Sequence, residues 1–288
     1  MKPSPADAVP ADAIVVSDVA ATSGDPLRLA VSNTSFVDAL FAECLTAEEI
    51  APDALRAYFV QFYLAQMDNG GFAQFVYNSR WDHNVVARVR DGLRTIGARM
   101  HQAVFLEGVA VVRHIGPDAL DVFLAHDFWE GGPERDHLDA VTIQYAKAAE
   151  VEDLAARTAG WIRTHPKLRV LTREQMDAEV RRRAAAVPDM PERLAAARAL
   201  EPRPAKLIRV LCAVAGQELQ QIVAGDPTHE HDGQTVIAWH FLTDRGHHFM
   251  VEDGGRAMMF TADAPGRPIC ELTGIDERAG DDGRDPAL

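Results

Sequence analysis

Two groups of residues have the types and spacing for chemistry. The first is His229-Glu230-His231-Asp232, followed by His240, His247 and His248. Imidazoles and carboxylates this close in sequence could ligate zinc or a similar ion, and His229, His231 and Asp232 are the ligands such a reading selects. The flanking Gly225-Asp226-Pro227 and Gly233 instead predict a polar, solvated loop. No His-Glu-x-x-His motif occurs, and strand alternation would aim His247 and His248 in opposite directions. The second group is the amide set Asn69, Gln74 and Asn78 around Gly70 and Gly71. These five residues could bind a small ligand or peptide. The structural alternative is that the amides cap helices and satisfy backbone groups. There is no Gly-x-Ser-x-Gly elbow, no Gly-x-x-x-x-Gly-Lys loop and no Gly-x-Gly-x-x-Gly run. No catalytic residue is assigned and no cofactor is expected.

The elements that must position these groups follow from hydrophobic spacing. Leu55, Tyr58 or Phe59, Phe62 and Gln66 recur at helical spacing after Pro52, a residue suited to a first helical turn. Asn69 and Gly70 stand where that helix should end in a left-handed cap, and Gly71 lets two helices approach closely. Phe72, Phe75 and Val76 then mark one face of a second, short helix. Eight of the 20 aromatics (Tyr58, Phe59, Phe62, Tyr63, Phe72, Phe75, Tyr77, Trp81) fall in this window. That concentration predicts a core, each buried ring contributing about 1.5–3 kcal/mol. Helical periodicity runs from Ser35, expected as a cap, to about Thr164. Asp82 is expected to cap one helix and Pro117 to open another, while Gly131-Gly132-Pro133 makes a turn.

The rest of the chain differs in character. Residues 1–33 read as a largely irregular tail broken by Pro3, Pro5, Pro10, Gly24 and Pro26, in which Ile14-Val15-Val16 has the composition of a short strand. Residues 171–204 read as a charged helical connector ending in the linker Glu201-Pro202-Arg203-Pro204. In residues 205–288, an apolar run through Val214 is expected to continue as helix to Val223. Three or four strands with turn chemistry between them follow, and then an acidic end from Asp281. The predicted fold is a mainly α-helical domain over 34–170 and a small α+β module containing an antiparallel meander.

The run Asn69-Gly70-Gly71-Phe72-x-Gln74-Phe75 with Asn78-Ser79 resembles the signature of a bacterial domain family named after a DNA-mimic protein. The resemblance extends through Leu93-x-x-Ile96-Gly97-Ala98, Leu120-Asp121 and Asp127-Phe128 to Trp161-Ile162-x-x-His165, covering about residues 35–168. It implies an all-helical domain and, for the namesake, an acidic surface that occupies a DNA-binding protein. Most members have no assigned function. One departure is that Arg80-Trp81 stand where the family has a glycine shortly after Asn-Ser.

The charge balance agrees with that expectation. Formal net charge is −14, from 43 acids and 29 bases. Residues 1–160 hold 23 acids and 12 bases, residues 161–200 hold 5 and 9, and residues 201–288 hold 15 and 8. Direct nucleic-acid binding is disfavoured, because phosphates are matched by Lys and Arg. An acidic surface serves solubility or attracts a basic protein. The arginines between 163 and 198 read as a solvated helical face, or as one folded back onto the acidic domain, rather than as an anion-binding patch. Cys44, Cys212 and Cys270 make no disulfide framework, and neither a signal-peptide pattern nor a membrane-spanning run is seen, so a cytoplasmic setting is expected. The leading expectation is a non-enzymatic module that binds a protein partner, with a DNA-binding protein as the specific candidate. A metal-dependent module built on the C-terminal histidines is the alternative.

Overall fold

The computed structural model describes residues 9–126, 128–129, 131–263 and 266–274. The expected acidic end, residues 1–8 of the expected tail, and Asp127 lie outside these. The chain divides into two compact units, one up to Pro191 and one from Glu192.

The first unit is helical: α1 (Asp18–Thr22), α2 (Pro26–Ala42), α3 (Pro52–Ser79), α4 (His83–Ile96), α5 (Arg99–Ile115), α6 (Pro117–Ala125), α7 (Pro133–Ala149), α8 (Leu154–Thr164) and α9 (Arg173–Ala185). A short parallel pair, β1 (Ile14–Ser17) with β2 (Leu168–Leu171), closes it. Local chemistry explains the boundaries. Asp82 accepts amide hydrogen bonds from Asn84 and Val85 to start α4, and Gly97, at φ 77°, ends it. Arg88, Arg90 and Arg94 lie on α4, and Arg99 opens α5.

Within α3 the helix breaks at Gly70 (φ −144°) and Gly71 (φ 73°, ψ −165°). The positive φ falls on Gly71 rather than on Asn69 or Gly70 as expected, in a region that is essentially closed to residues with a Cβ. A Cβ on Gly71 would lie 2.4 Å from Thr142 Oγ1 on α7, and that hydroxyl instead accepts the Phe72 amide at 3.0 Å. Tyr63, Phe72, Phe75 and Phe105 are fully buried around the break, with ring centroids 5.4–6.3 Å apart. Phe72 lies against Gly108, where a Cβ would come 2.2 Å from Cζ.

The expected irregular tail is ordered from Ile14 onward. Ile14, Val15 and Val16 are fully buried, Ser17 caps α1, and Asp25 with Pro26 starts α2. Ser35 is thus inside a helix, not at its cap. The expected connector is also different, because α9 contributes to the interior. Glu179 and Arg183 form an ion pair at 2.7 Å with both side chains 5% exposed, and Arg183 donates to the carbonyls of Pro10 and Ala11. Arg182 and Arg183 thus fold back onto their own unit, whereas Arg173 and Arg181 are exposed.

The helix α10 (Met190–Leu200) spans the division, and the second unit continues with α11 (Arg203–Ala215). Pro202 and Pro204 occupy the cap and first turn of α11, so the expected linker opens a helix. Gly216, at φ 63°, terminates α11. Residues from Leu219 are then strand, not helix. The strands β3 (Leu219–His231), β4 (Gln234–Thr243), β5 (Gly246–Asp253), β6 (Arg256–Thr261) and β7 (Cys270–Thr273) form an antiparallel sheet in sequence order. Asp244 accepts the Glu218 amide at 2.8 Å, which aligns β3 with the end of β4. One face, with Phe241, Met250, Ala257 and Met259, packs with Ile208, Leu211 and Cys212 of α11. The fold is thus a helical unit followed by an antiparallel meander, with five strands among the described residues rather than three or four.

Replacing Gly71 by Ala is expected to destabilise the protein by about 3 kcal/mol or more, since it combines a Gly-only conformation with a steric overlap. Urea unfolding measures it, with Gly24→Ala, where a Cβ meets nothing within 4 Å, as a near-neutral control. A smaller loss in Gly71→Ala/Thr142→Ala than in Gly71→Ala alone would isolate the overlap.

Candidate functional site

The kink in α3 brings the sequence-selected amides together, joined by Gln66. Asn69 Nδ2 donates to Gln74 Oε1 at 3.2 Å. Gln74 Nε2 donates to Gln66 Oε1 at 2.9 Å, and Asn78 Nδ2 donates to the same oxygen at 2.6 Å. Gly70 makes room for this latch, because a Cβ there would lie 2.1 Å from Gln74 Oε1. Gly71 is buried behind it, while Asn69 and Asn78 are exposed and Gln74 is half-buried. Gln66 lies on the predicted helical face, but its role as a shared acceptor depends on the kink. Beneath the latch, the Tyr145 hydroxyl donates to Asp68 at 2.7 Å. Burial first, and then that carboxylate, push the Tyr145 phenol well above its ordinary range.

The second half of α3 also holds the α6–α7 connection. The Tyr77 hydroxyl donates to the His126 carbonyl at 3.1 Å and Arg80 to the Leu124 carbonyl at 2.6 Å. Phe123 and Phe128 pack on the Tyr77 ring at 6.0 and 5.4 Å. Arg80 and Trp81 both adopt φ 49°. The left-handed turn is made without glycine, with Arg80 tied to Leu124 and Trp81 packed against Phe72 and Phe75.

Residues 117–139 hold seven acids and one base. Asp118, Asp121 and Asp136 are exposed, with no ion-pair partner among the described residues. The one base, Arg135, lies 4.4 Å over the Phe128 ring, donates to the Phe128 carbonyl and approaches Asp139 at 3.7 Å. Val122 and Trp129 of this segment and Ile143 of α7 are also exposed.

In the second unit, His229 and His231 are on β3 rather than in a loop, and Asp232, at φ 49°, makes the turn to β4 with Gly233. The ring of His229 lies 4.8 Å from Phe249, and that of His231 lies 5.5 Å from Phe260. Asp232 approaches His231 only to 3.9 Å. His240 Nδ1 and His247 Nε2 meet at 3.2 Å across β4 and β5, a pairing set by register. His248 points to the opposite face, as alternation requires, and is buried against Phe241. Among the described residues, no three His, Cys, Asp or Glu groups come together as a metal set. Burial, followed by the neighbouring His247, holds the His240 imidazole below its ordinary pKa. Burial is also the main cause of the lowering at His248, opposed by the backbone of Phe260.

The geometry defines a helical domain organised on one glycine kink, with an amide latch on one side and an acidic connection beside it. Residues 48–165 of this chain match the family model described as DMP19-like protein. No family model matches the C-terminal part, and no curated protein or solved structure matches the chain.

Two outcomes follow. Gln66→Ala, which removes the acceptor shared by Gln74 and Asn78, should cost about 1–2 kcal/mol in urea unfolding, whereas Gln66→Glu, which keeps an acceptor, should cost less. The C-terminal sheet should weaken in acid. His240 and His248 have folded pKa values below the unfolded value of 6.5. Their contribution is therefore complete above that pH and lost as pH falls below it. Urea midpoints at pH 7.5, 6.5 and 5.5, read from the Met250 and Met259 methyl resonances, should show the decline. His240→Gln/His248→Gln should flatten it.

Proposed function

We propose that the helical unit is a protein-binding module that presents an acidic face to a basic, DNA-binding partner, in the manner of a DNA mimic. The family match motivates the reading, and the observation that carries it is the uncompensated acid of the α6–α7 segment. Several acids elsewhere in the unit are paired internally, although Glu107, Glu150 and Asp177 are also exposed with no ion-pair partner among the described residues. Asp53 and Asp91 bind Arg56, Asp91 also binds Arg94, and Glu152 binds Arg157. In α6–α7, Asp118 and Asp121 stand one helical turn apart, a rise of about 4.5 Å. That is close to the rise of roughly 3.4 Å between phosphates along a DNA strand. Exposed Trp129 and Val122 supply apolar contact in the same segment, and tryptophan is a residue type enriched among interface anchors.

This reading assigns the amide latch to positioning the α6–α7 segment through Tyr77 and Arg80, and it assigns no catalysis. It puts the protein in the cytoplasm with its partner and does not involve direct contact with nucleic acid or membrane. Among the described residues, no helix is long and apolar enough to cross a membrane.

Immobilised full-length protein should capture DNA-binding proteins from a bacterial lysate, release them as salt rises, and lose them to competing duplex DNA. Asp118→Asn/Asp121→Asn/Asp136→Asn should weaken capture at low salt about tenfold, with the thermal midpoint unchanged. Capture that ignores both duplex DNA and the triple substitution would overturn the reading.

A further inference from the structure

A cleft of about 460 Å3 opens between α4, α5 and the start of α6, the helix that also carries Asp118 and Asp121. Trp81, Val86, Val109, Val112 and Leu120 make its wall apolar, and His83, Arg90 and Arg113 stand at it as the polar groups. Among the described residues, no carboxylate lines it. Its size lies within the roughly 300–1,000 Å3 typical of small-ligand sites.

Arg90 and Arg113 are two of the exposed arginines of this unit with no carboxylate partner among the described residues, Arg99 and Arg181 being others. Acids outnumber bases 43 to 29 over the chain, and Arg56, Arg88, Arg94, Arg135 and Arg157 of the same unit all pair with carboxylates. Arg90 and Arg113 have no ion-pair partner among the described residues, yet both border the apolar cleft. The N-terminus of α6 opens on the same space through Gly116 and Pro117, and Gly116 supplies no capping side chain. Two guanidinium groups and a helix N-terminus favour an anion, and the guanidinium fork suits a carboxylate. The apolar wall requires that this anion carry a hydrocarbon body.

We propose that this cleft binds a small amphiphilic carboxylate, a medium-chain acyl or aryl acid, with its apolar body against Trp81, Val109 and Leu120 and its carboxylate between Arg90 and Arg113. The lining includes none of the acids invoked above, and the test below reads a small ligand rather than protein capture, so the proposal stands or falls independently of the partner proposed above.

Decanoate serves as the probe, titrated into the full-length protein by calorimetry while tryptophan emission is followed. Decanol tests the hydrocarbon without the charge, and butyrate tests the charge without the hydrocarbon. Saturable binding of decanoate is expected, at least tenfold tighter than that of decanol or butyrate. Arg90→Gln/Arg113→Gln should lose tenfold or more in affinity with an unchanged thermal midpoint. Val109→Trp, which fills the cleft and leaves both arginines in place, should abolish binding. If the arginine variant lowers the thermal midpoint, Arg113→Lys, which keeps the charge but not the fork, should still weaken binding severalfold. No saturation below about 5 mM would overturn the proposal. So would equal affinity for decanol, or equal binding by wild type and the double arginine variant.

Discussion

The helical unit depends on a single backbone conformation, the left-handed turn at Gly71. Because no Cβ projects there, Thr142 of α7 comes close enough for its hydroxyl to take the Phe72 amide that the kink releases from the helix. One residue thus breaks α3, satisfies the orphaned donor and brings α7 against the break. Phe72 and Phe75 are swung beside Tyr63 and Phe105 as a result, and the core forms around them. The amide latch on the other side is a consequence of the same turn. Gln66 and Asn78 are 12 residues apart and meet only because the helix axis changes direction between them. An unbroken helix would carry them about 18 Å apart.

Charge is distributed by a related economy. Where helices meet, arginines neutralise carboxylates, as Arg56 does for both Asp53 and Asp91. In α9 even a buried pair is tolerated, because Glu179 accepts from both Arg182 and Arg183 and Arg183 spends its remaining donors on Pro10 and Ala11. Asp118, Asp121 and Asp136 of α6–α7 have no ion-pair partner among the described residues. The one base of residues 117–139, Arg135, is turned onto Phe128 and Asp139. These three acids therefore remain exposed on a segment that the second half of α3 holds through Tyr77 and Arg80.

In the C-terminal unit the sheet has two unlike faces. One is a core shared with α11, and the other gathers Ala238, Phe249, Val251, Met258 and Phe260. The imidazoles of His229, His231 and His240 lie against the aromatics of this second face. Histidines that looked like a linear ligand run are spread along it by strand pairing. The contact that results, between His240 and His247, involves neither of the two imidazoles the run had selected.

The sequence by itself determined the features that depend on near neighbours. Asp82 as a cap, Pro52 and Pro117 as first-turn residues, the aromatic core around Tyr63, Phe72 and Phe75, and the meander of β4, β5 and β6 were all legible, because capping, periodicity and turn chemistry act over a few residues. The signature run likewise carried the family resemblance now matched over residues 48–165. Tertiary structure decided whatever required distant partners. Ile14-Val15-Val16 has strand composition, but only its pairing with Leu168–Leu171 makes it a buried strand rather than part of a tail. Gln221 and Ile222 read as a continuation of α11 until pairing with Leu242 and Phe241 claims them for β3. Gly71, not Asn69 or Gly70, takes the positive φ because Thr142, 71 residues further on, occupies the space a Cβ would need. Local preference left all three glycine and asparagine positions permissible, and long-range contact selected one.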